Sequence, residues 1–275
     1  MSTDLAANLR DTFPGRQLIE WHLRWHTYHP EHRSALAYAD SITTEDYSGR
    51  AGMTLSSYLY GDGFTDVLDM NTAAPEVVEM SEAIATVLTS SRCHTWISPQ
   101  HHHGRIQALR QPTVVNRRFP CALLDGAFWT APVFDDGSDA WALHGEHNRT
   151  RSPNCYEVHF DPDAVRIAHI ASADDWVELL NAHPLVHGDT LFPDWPSIAT
   201  TWDAVDVSIS GLLCAQPLIS HVPYDDSDSS GFTHSQSGPY VGVGEWTVPS
   251  TAWLRLPEHV TVRPADTDLA RPPVR

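Results

Sequence analysis

The run of consecutive histidines, His101, His102 and His103, is the most visible candidate for chemistry in the sequence. Imidazole is a common ligand of zinc, iron, copper and nickel. Neighbouring side chains on a strand point to opposite faces, so three consecutive histidines cannot all bind one metal ion from a strand. The run lies between Pro99-Gln100 and Gly104, which is typical of a turn, and we expect an exposed polar loop. A metal site here would need ligands from elsewhere that the sequence does not name.

A second candidate is His187-Gly188-Asp189, which has the His-x-Asp spacing of the iron site of non-haem oxygenases. The third ligand would have to follow later in the chain, as His221 or His234. A metal-dependent enzyme that uses non-haem iron or zinc is therefore kept as an alternative, with His187 and Asp189 as its first ligands.

Nucleophilic catalysis has weaker support in the sequence. Ser210-Gly211 lacks the preceding glycine of a Gly-x-Ser-x-Gly elbow. The 4 cysteines are widely spread and form no Cys-x-x-Cys pair, so we expect free thiols. A Cys–His pair is possible in space, although the linear sequence does not reveal one.

The composition excludes several classes of protein. All 17 basic residues are arginines, so the chain lacks the lysine of pyridoxal enzymes, P-loop nucleotide hydrolases and protein kinases. The net charge of −18 argues against tight binding to a nucleic-acid backbone. It also leaves open a non-catalytic acidic binding or immunity protein that neutralises a basic partner. The sequence shows no signal peptide and no apolar run of about 18 residues, so we expect a cytoplasmic protein without membrane contact.

The elements that would position these residues are predicted from hydrophobic periodicity. Helices are expected in the first third and later at Ser172–Ala182 and Pro196–Thr201, the clearest being Pro75–Leu88. Strand-like runs fill the last two thirds, namely Cys93–Ser98, Thr113–Val115, Ala127–Ala131, Tyr156–Phe160, Val165–Ile170, Ala204–Ile209, Tyr240–Trp246, Ala252–Leu256 and Val260–Arg263. This segregation predicts an α+β fold with a helical N-terminal third and a mostly antiparallel, bent or split sheet. The regions expected are a helical region at 1–91 packed on a strand-rich core at 92–263, with a loose tail at 264–275.

Three stretches carry a resemblance to a known family. They are the segment from Tyr156 to Ser210, the segment EWTVPSTAWLRL at Glu245–Leu256, and AFWTAP at Ala127–Pro132. Their spaced aromatic and aspartate positions resemble actinobacterial proteins of the ADP-ribosyltransferase-like fold. The resemblance covers about the C-terminal half of the chain. It implies an enzyme that binds NAD as its substrate, cleaves the nicotinamide–ribose bond, and transfers ADP-ribose or hydrolyses NAD.

Site residues follow from this resemblance alone. It implies that Arg92 or His94 holds the NAD phosphates or ribose, that Trp129 stacks on the nicotinamide ring, and that Thr130 supports the pocket. It assigns to Glu245 the stabilisation of the oxocarbenium-like sugar. The chain departs from the family pattern at two positions. The family has Glu or Gln two residues before the catalytic Glu, where this chain has Val243. The family has an acid at the position where this chain has Pro249. The leading hypothesis is therefore an NAD-cleaving glycosyl-transfer enzyme that needs no metal.

Overall fold

The computed structural model describes residues 4–60, 67–147, 154–216 and 239–265. These residues form an α+β fold, as the sequence predicts. Its helices are α1 (Leu5–Asp11), α2 (Phe13–His26), α3 (Ala35–Ser41), α4 (Thr44–Tyr60), α5 (Pro75–Leu88), α6 (Ala140–His147), α7 (Ala173–Ala182), α8 (Trp195–Thr201) and α9 (Ile209–Cys214). None of the helices in these ranges combines the length and the apolar character that crossing a membrane requires.

The central element is a mostly antiparallel sheet of seven strands in the order β11-β5-β1-β4-β10-β9-β6. These strands are β1 (Gln100–His103), β4 (Phe128–Pro132), β5 (Cys155–His159), β6 (Ile167–Ile170), β9 (Ala204–Val207), β10 (Ser250–Trp253) and β11 (Thr261–Pro264). The pair β6–β9 is parallel, and α7 and α8 lie in the crossover between its strands. Two small hairpins complete the strands, β2 (Val115–Asn116) with β3 (Leu124–Asp125), and β7 (Pro184–His187) with β8 (Thr190–Pro193).

All the described helices except α6 share one hydrophobic core with one face of the sheet, and α6 packs in a smaller cluster around Ala131. On that face Ile170 of β6 and Val207 of β9 pack in one cluster with Leu18 of α2, Ile84 of α5 and Trp176 of α7. Each such side chain contributes roughly 1.5–3 kcal/mol when it is fully buried. The N-terminal helices therefore rest on the sheet and do not form a separate core of their own.

The helix predictions hold where periodicity and capping agree. Residues Pro75–Leu88 form α5 as predicted, with Val77, Ile84 and Leu88 on its buried face. Ser172 caps α7 by accepting the Asp175 N–H at 3.2 Å. Pro14 and Gly15 do not interrupt a helix, because Thr12 caps α2 and these residues form its first turn, where a proline costs no hydrogen bond.

Two strand predictions are wrong, and four strands were missed, namely β1, β3, β7 and β8. The run at 93–98 is a 3-10 turn followed by an irregular segment, and 240–246 is irregular with a 3-10 turn at its end. The predicted exposed loop at the histidine run is instead β1, a strand inside the sheet, which lies between β4 and β5. Hydrogen bonding to two neighbouring strands outweighs the low strand propensity of QHHH, since sheet context dominates such preferences.

The two faces of the sheet carry different sets of side chains. Residues paired across neighbouring strands point to the same side, so His101 and His103 share the helix-covered face with Ala131 and Cys155. The opposite face carries Thr130, Thr251 and Asp206 together with the smaller cluster around Trp253. Short irregular segments cover this second face, among them Thr95 and Trp96.

Candidate metal centre

Four side chains on the helix-covered face place their ligand atoms around one point. They are His101 and His103 of β1, Asp139 and Cys155, and one ligand atom from each lies within 4.8 Å of the others. Asp139 Oδ2 is 2.8 Å from His101 Nδ1 and 2.8 Å from His103 Nε2. Cys155 Sγ is 3.7 Å from His103 Nε2. The four residues come from three chain segments that are far apart in the sequence and meet only in the fold.

Strand alternation and register account for three of these positions. His101 and His103 are two residues apart on β1, so both point to one face, and His102 points to the other. On that opposite face His102 stacks on Phe128 and donates through Nδ1 to the Trp129 carbonyl at 2.8 Å. Cys155 begins β5 directly opposite His103. One residue of register slip would move the histidines or the cysteine to the wrong face.

A tight turn and a helix cap position the fourth residue. After β4 the chain reverses through Gly137, whose φ of +80° is a conformation that favours glycine. Asp139 then caps α6, because its Oδ1 accepts the Ala142 N–H at 2.9 Å. The cap occupies Oδ1 and leaves Oδ2 directed at the histidines. The side chain of Asp139 is only 3% exposed, so its orientation is fixed by packing.

The electrostatics of the cluster are those of a strongly coupled group. Burial lowers the pKa of both imidazoles, but their hydrogen bonds to Asp139 and Cys155 outweigh it, so the pKa is raised to about 9 for His101 and to about 10 for His103. Burial raises the pKa of Asp139, and the two histidines more than reverse this and hold the pKa well below its usual range. Burial also raises the pKa of Cys155, and the same histidines bring that pKa below its ordinary value. The cluster thus favours a carboxylate beside positively charged imidazoles, and the same imidazoles make the Cys155 thiol easier to deprotonate.

The geometry at His103 differs from that of a Cys–His–Asp catalytic triad. In a triad the histidine bonds the carboxylate through one nitrogen and the nucleophile through the other. Here the same atom, His103 Nε2, lies nearest both to Asp139 Oδ2 and to Cys155 Sγ. Ligand atoms that converge on one point suit a cation at that point, whereas a proton relay needs them in a line.

The sequence held a partial signal for this cluster. The alternation rule that excludes three consecutive histidines as ligands of one ion is the same rule that permits His101 and His103. Asp139 follows Asp-Asp-Gly-Ser and precedes an apolar segment, which is typical of a turn and a helix cap. Cys155 gave no local signal, because only the β1–β5 register places it.

The residues implied by the resemblance lie on both sides of the sheet. Thr130 is fully buried and its hydroxyl is used twice, because it donates to Gln100 Oε1 and accepts from Trp253 Nε1 at 2.8 Å. Trp129 points to the opposite face, where its ring packs against Trp246 at 4.9 Å. The sheet therefore separates the tryptophan from the threonine hydroxyl.

The remaining residues implied by the resemblance occupy three further places. Glu245 is half-buried in a 3-10 turn and accepts the Ala122 N–H at 3.0 Å. Arg92 is exposed after α5 and donates to the Asp40 carbonyl at 2.9 Å. His94 is exposed, and its ring centroid lies 5.9 Å from that of His169. Trp129 contacts Trp246, which follows Glu245 in the chain, so Trp129 and Glu245 lie near each other. Arg92 and His94 do not take part in this contact.

The alternative ligands His187 and Asp189 lie at the exposed tip of the β7–β8 hairpin. Among the residues that the structure describes, these two belong to no group of three or more potential ligands. The suggested third ligands, His221 and His234, lie outside the described residues. That iron site stays a prediction.

Comparison of the chain with protein-family models, with curated proteins and with solved structures finds no match.

Proposed function

We propose that the protein binds one Zn²⁺ ion through His101, His103, Asp139 and Cys155. The observation that carries the proposal is the convergence of four ligand atoms from three chain segments within 4.8 Å of one another. At zinc distances of about 2.0–2.3 Å, a tetrahedron separates two N or O ligands by roughly 3.3 Å and an N from an S ligand by roughly 3.6 Å. The observed 2.8 Å N···O separation must widen by roughly 0.5 Å to reach its value, whereas the 3.7 Å N···S separation already matches.

The mixed chemistry of the donors favours zinc over other metals. Thiolate selects zinc, copper(I) and iron–sulfur clusters, imidazole suits zinc, copper, iron and nickel, and carboxylate suits harder ions. Zinc is the ion that accepts all three donor types in one tetrahedral site. Blue copper also uses two histidines and a cysteine, but its fourth ligand is weak and distant. In this cluster the fourth donor is the Asp139 carboxylate, whose Oδ2 lies only 2.8 Å from His101 Nδ1.

Four protein ligands define a closed site, which is the arrangement of structural zinc. The ion would join β1 to the start of β5 and to the N-terminal end of α6. Its function would be to hold these three segments, because metal binding to the folded state alone adds directly to the free energy of unfolding. In the metal-free protein, the hydrogen bonds of Asp139 to the two histidines take over part of this role.

The test is the zinc content of purified protein after saturation with Zn²⁺ and removal of excess metal, measured by mass spectrometry. We expect one zinc per chain in the wild type and loss of at least ~90% of it in His103→Gln, Asp139→Asn and Cys155→Ser, because ligand loss weakens binding at least as much as the ~10–100-fold typical of outer-shell changes. Two matched controls should keep full zinc. His102→Gln lies on the same strand and faces away, and Cys121→Ser changes a half-buried cysteine whose Sγ contacts the Leu123 carbonyl. A metal-free wild type, or equal zinc in ligand and control variants, refutes the proposal.

NAD cleavage on an ADP-ribosyltransferase-like fold is a second proposal, and one contact favours it. The packing of Trp129 on Trp246 places an aromatic strand residue beside the turn that carries Glu245. Glu245 is the residue whose carboxylate would stabilise the developing positive charge on the ribose. This function needs no metal, so nicotinamide release from NAD in the presence of EDTA separates it from the zinc proposal.

A further inference from the structure

A buried carboxylate on the opposite face of the sheet holds a partly exposed histidine. Asp206 of β9 is fully buried, and its side chain accepts three hydrogen bonds from other side chains. Thr251 Oγ1 donates to Oδ1 at 2.9 Å, Thr95 Oγ1 donates to Oδ2 at 3.0 Å, and His169 Nδ1 lies 2.8 Å from Oδ2. Of these partners only His169 reaches solvent, with its side chain 34% exposed.

This arrangement fixes the proton of the imidazole. The carboxylate only accepts, so Nδ1 must carry the hydrogen, and the lone pair of the neutral ring is then on Nε2. No described residue forms a hydrogen bond with Nε2. The ring lies on β6, which is an edge strand of the sheet. An oriented, partly exposed imidazole whose second nitrogen bonds to no described residue has the geometry of a general base, with the buried carboxylate as its positioning group.

The charges around His169 define which ligands fit. The groups that face the ring are the Asp206 carboxylate, the Asp175 carboxylate at the N-terminal end of α7, and the exposed His94 ring at 5.9 Å. Burial lowers the pKa of His169, and the two carboxylates raise it above its ordinary value overall. No arginine lies against the ring among the described residues. Negative local charge, on a chain of net charge −18, disfavours anionic substrates such as phosphodiesters and favours neutral ones.

We propose that His169 is the general base of a second site, which hydrolyses neutral carboxylic esters, with Asp206 as its positioning residue. His169 Nε2 takes a proton from water while the water oxygen forms a bond to the ester carbonyl carbon. The bond from that carbon to the leaving oxygen then breaks, and the imidazolium returns its proton to the leaving alkoxide. The products are an acid and an alcohol, and water is the only co-reactant.

This site does not depend on the zinc proposal. His101 is on β1 and His169 is on β6, four strand spacings apart, or roughly 19 Å at about 4.8 Å per spacing. The two histidines also point to opposite faces of the sheet. Assays in EDTA, repeated with Cys155→Ser, therefore test the second site whatever the outcome for the metal.

The experiment measures p-nitrophenyl acetate hydrolysis at pH 8 in EDTA. Because positioned general-base catalysis is worth about 10²–10⁴-fold, we expect His169→Gln to lower the second-order rate constant at least ~10-fold. His259→Gln changes an exposed histidine between β10 and β11 and should leave the rate unchanged, which controls for surface imidazoles. A loss in His169→Gln no larger than in His259→Gln overturns the proposal.

Three further readouts separate the proposed role from others. A slower reaction in deuterium oxide supports general-base catalysis, whereas an acetylated His169 detected by mass spectrometry shows nucleophilic attack and overturns it. The anionic ester mono-p-nitrophenyl succinate should react at least ~10-fold more slowly than the neutral ester, and equal or faster reaction overturns the substrate class. For Asp206, the Asp206→Asn variant should shift the pH–rate profile to lower pH. If that variant does not fold, nitrogen NMR of the wild-type imidazole must show the proton on Nδ1, and a proton on Nε2 refutes the positioning.

Discussion

His22 of α2 is a histidine that lies buried among aromatic side chains. It is fully buried, and neither ring nitrogen has a hydrogen-bond partner among the described residues. Its ring meets Tyr38 and Tyr47 edge-on at 5.8 Å and 5.1 Å. Burial, followed by the positive charge of Arg50 and by His26, lowers the pKa of His22 to about 3. The neutral ring is therefore compatible with the native state and the protonated ring is not.

The sign and size of the effect follow from the two pKa values. Between the native pKa of about 3 and the unfolded pKa of 6.5, the unfolded chain binds a proton at His22 that the native protein does not. The free energy of unfolding therefore falls with decreasing pH, by about 1.4 kcal/mol per pH unit in that window. From pH 7 to pH 5 His22 alone should cost about 2 kcal/mol.

The perturbation is His22→Phe, which keeps an aromatic ring and removes the titrating group. Urea unfolding followed by tryptophan fluorescence, at pH 7 and pH 5 with EDTA, gives both free energies of unfolding. We expect the difference between variant and wild type to move by about 2 kcal/mol in favour of the variant at pH 5. This double difference cancels any packing cost of the larger ring and the titration of the other histidines.

The control is Tyr47→Phe in the same aromatic cluster. It removes the hydroxyl that donates to the Ala39 carbonyl at 3.1 Å. That loss should cost about 1 kcal/mol at both pH values, because tyrosine does not titrate in this range. If wild type and His22→Phe lose stability in parallel between pH 7 and pH 5, the inference that His22 is buried and neutral is refuted.

Three other predictions can be checked with stability and activity assays. Zinc at 100 times its Kd should add about 2.7 kcal/mol and raise Tm by roughly 5–11 °C, and Cys155→Ser should abolish the increase in a thermal scan; an equal rise in the variant contradicts the assignment of this ligand. Gly211→Ala should destabilise the protein by about 1–3 kcal/mol, because a Cβ there would lie 2.1 Å from the Ile170 carbonyl oxygen. Gly49→Ala in α4, where a Cβ would meet nothing within 4 Å, should be neutral or stabilising by about 0.5–1 kcal/mol. Urea unfolding of the two glycine variants tests this difference, and an equal loss of stability in both contradicts it. The NAD proposal predicts nicotinamide release that Glu245→Gln abolishes without unfolding the chain, and it is wrong if the wild type releases none or if the variant is as active.

The sequence determined the elements whose local signals agree with one another. Pro75 at a helix start and an apolar face from Val77 to Leu88 were sufficient for α5, and Ser172 with Asp175 was sufficient for the start of α7. The separation of helices from strand-like runs was sufficient for the α+β class and for a mostly antiparallel sheet. These features depend on interactions within about four residues or on the overall hydrophobic pattern, so they can be predicted from the sequence alone.

The tertiary structure alone decided where the chemistry lies. The histidine run has the composition of a loop, and only hydrogen bonds to β4 and β5 make it a strand with two imidazoles on one face. Cys155 reaches His103 through sheet register, and Asp206 reaches His169 through the pairing of two parallel strands. Such contacts join residues 37 or more positions apart. Their closeness is set by the packing of the whole sheet, which no local pattern of residues records.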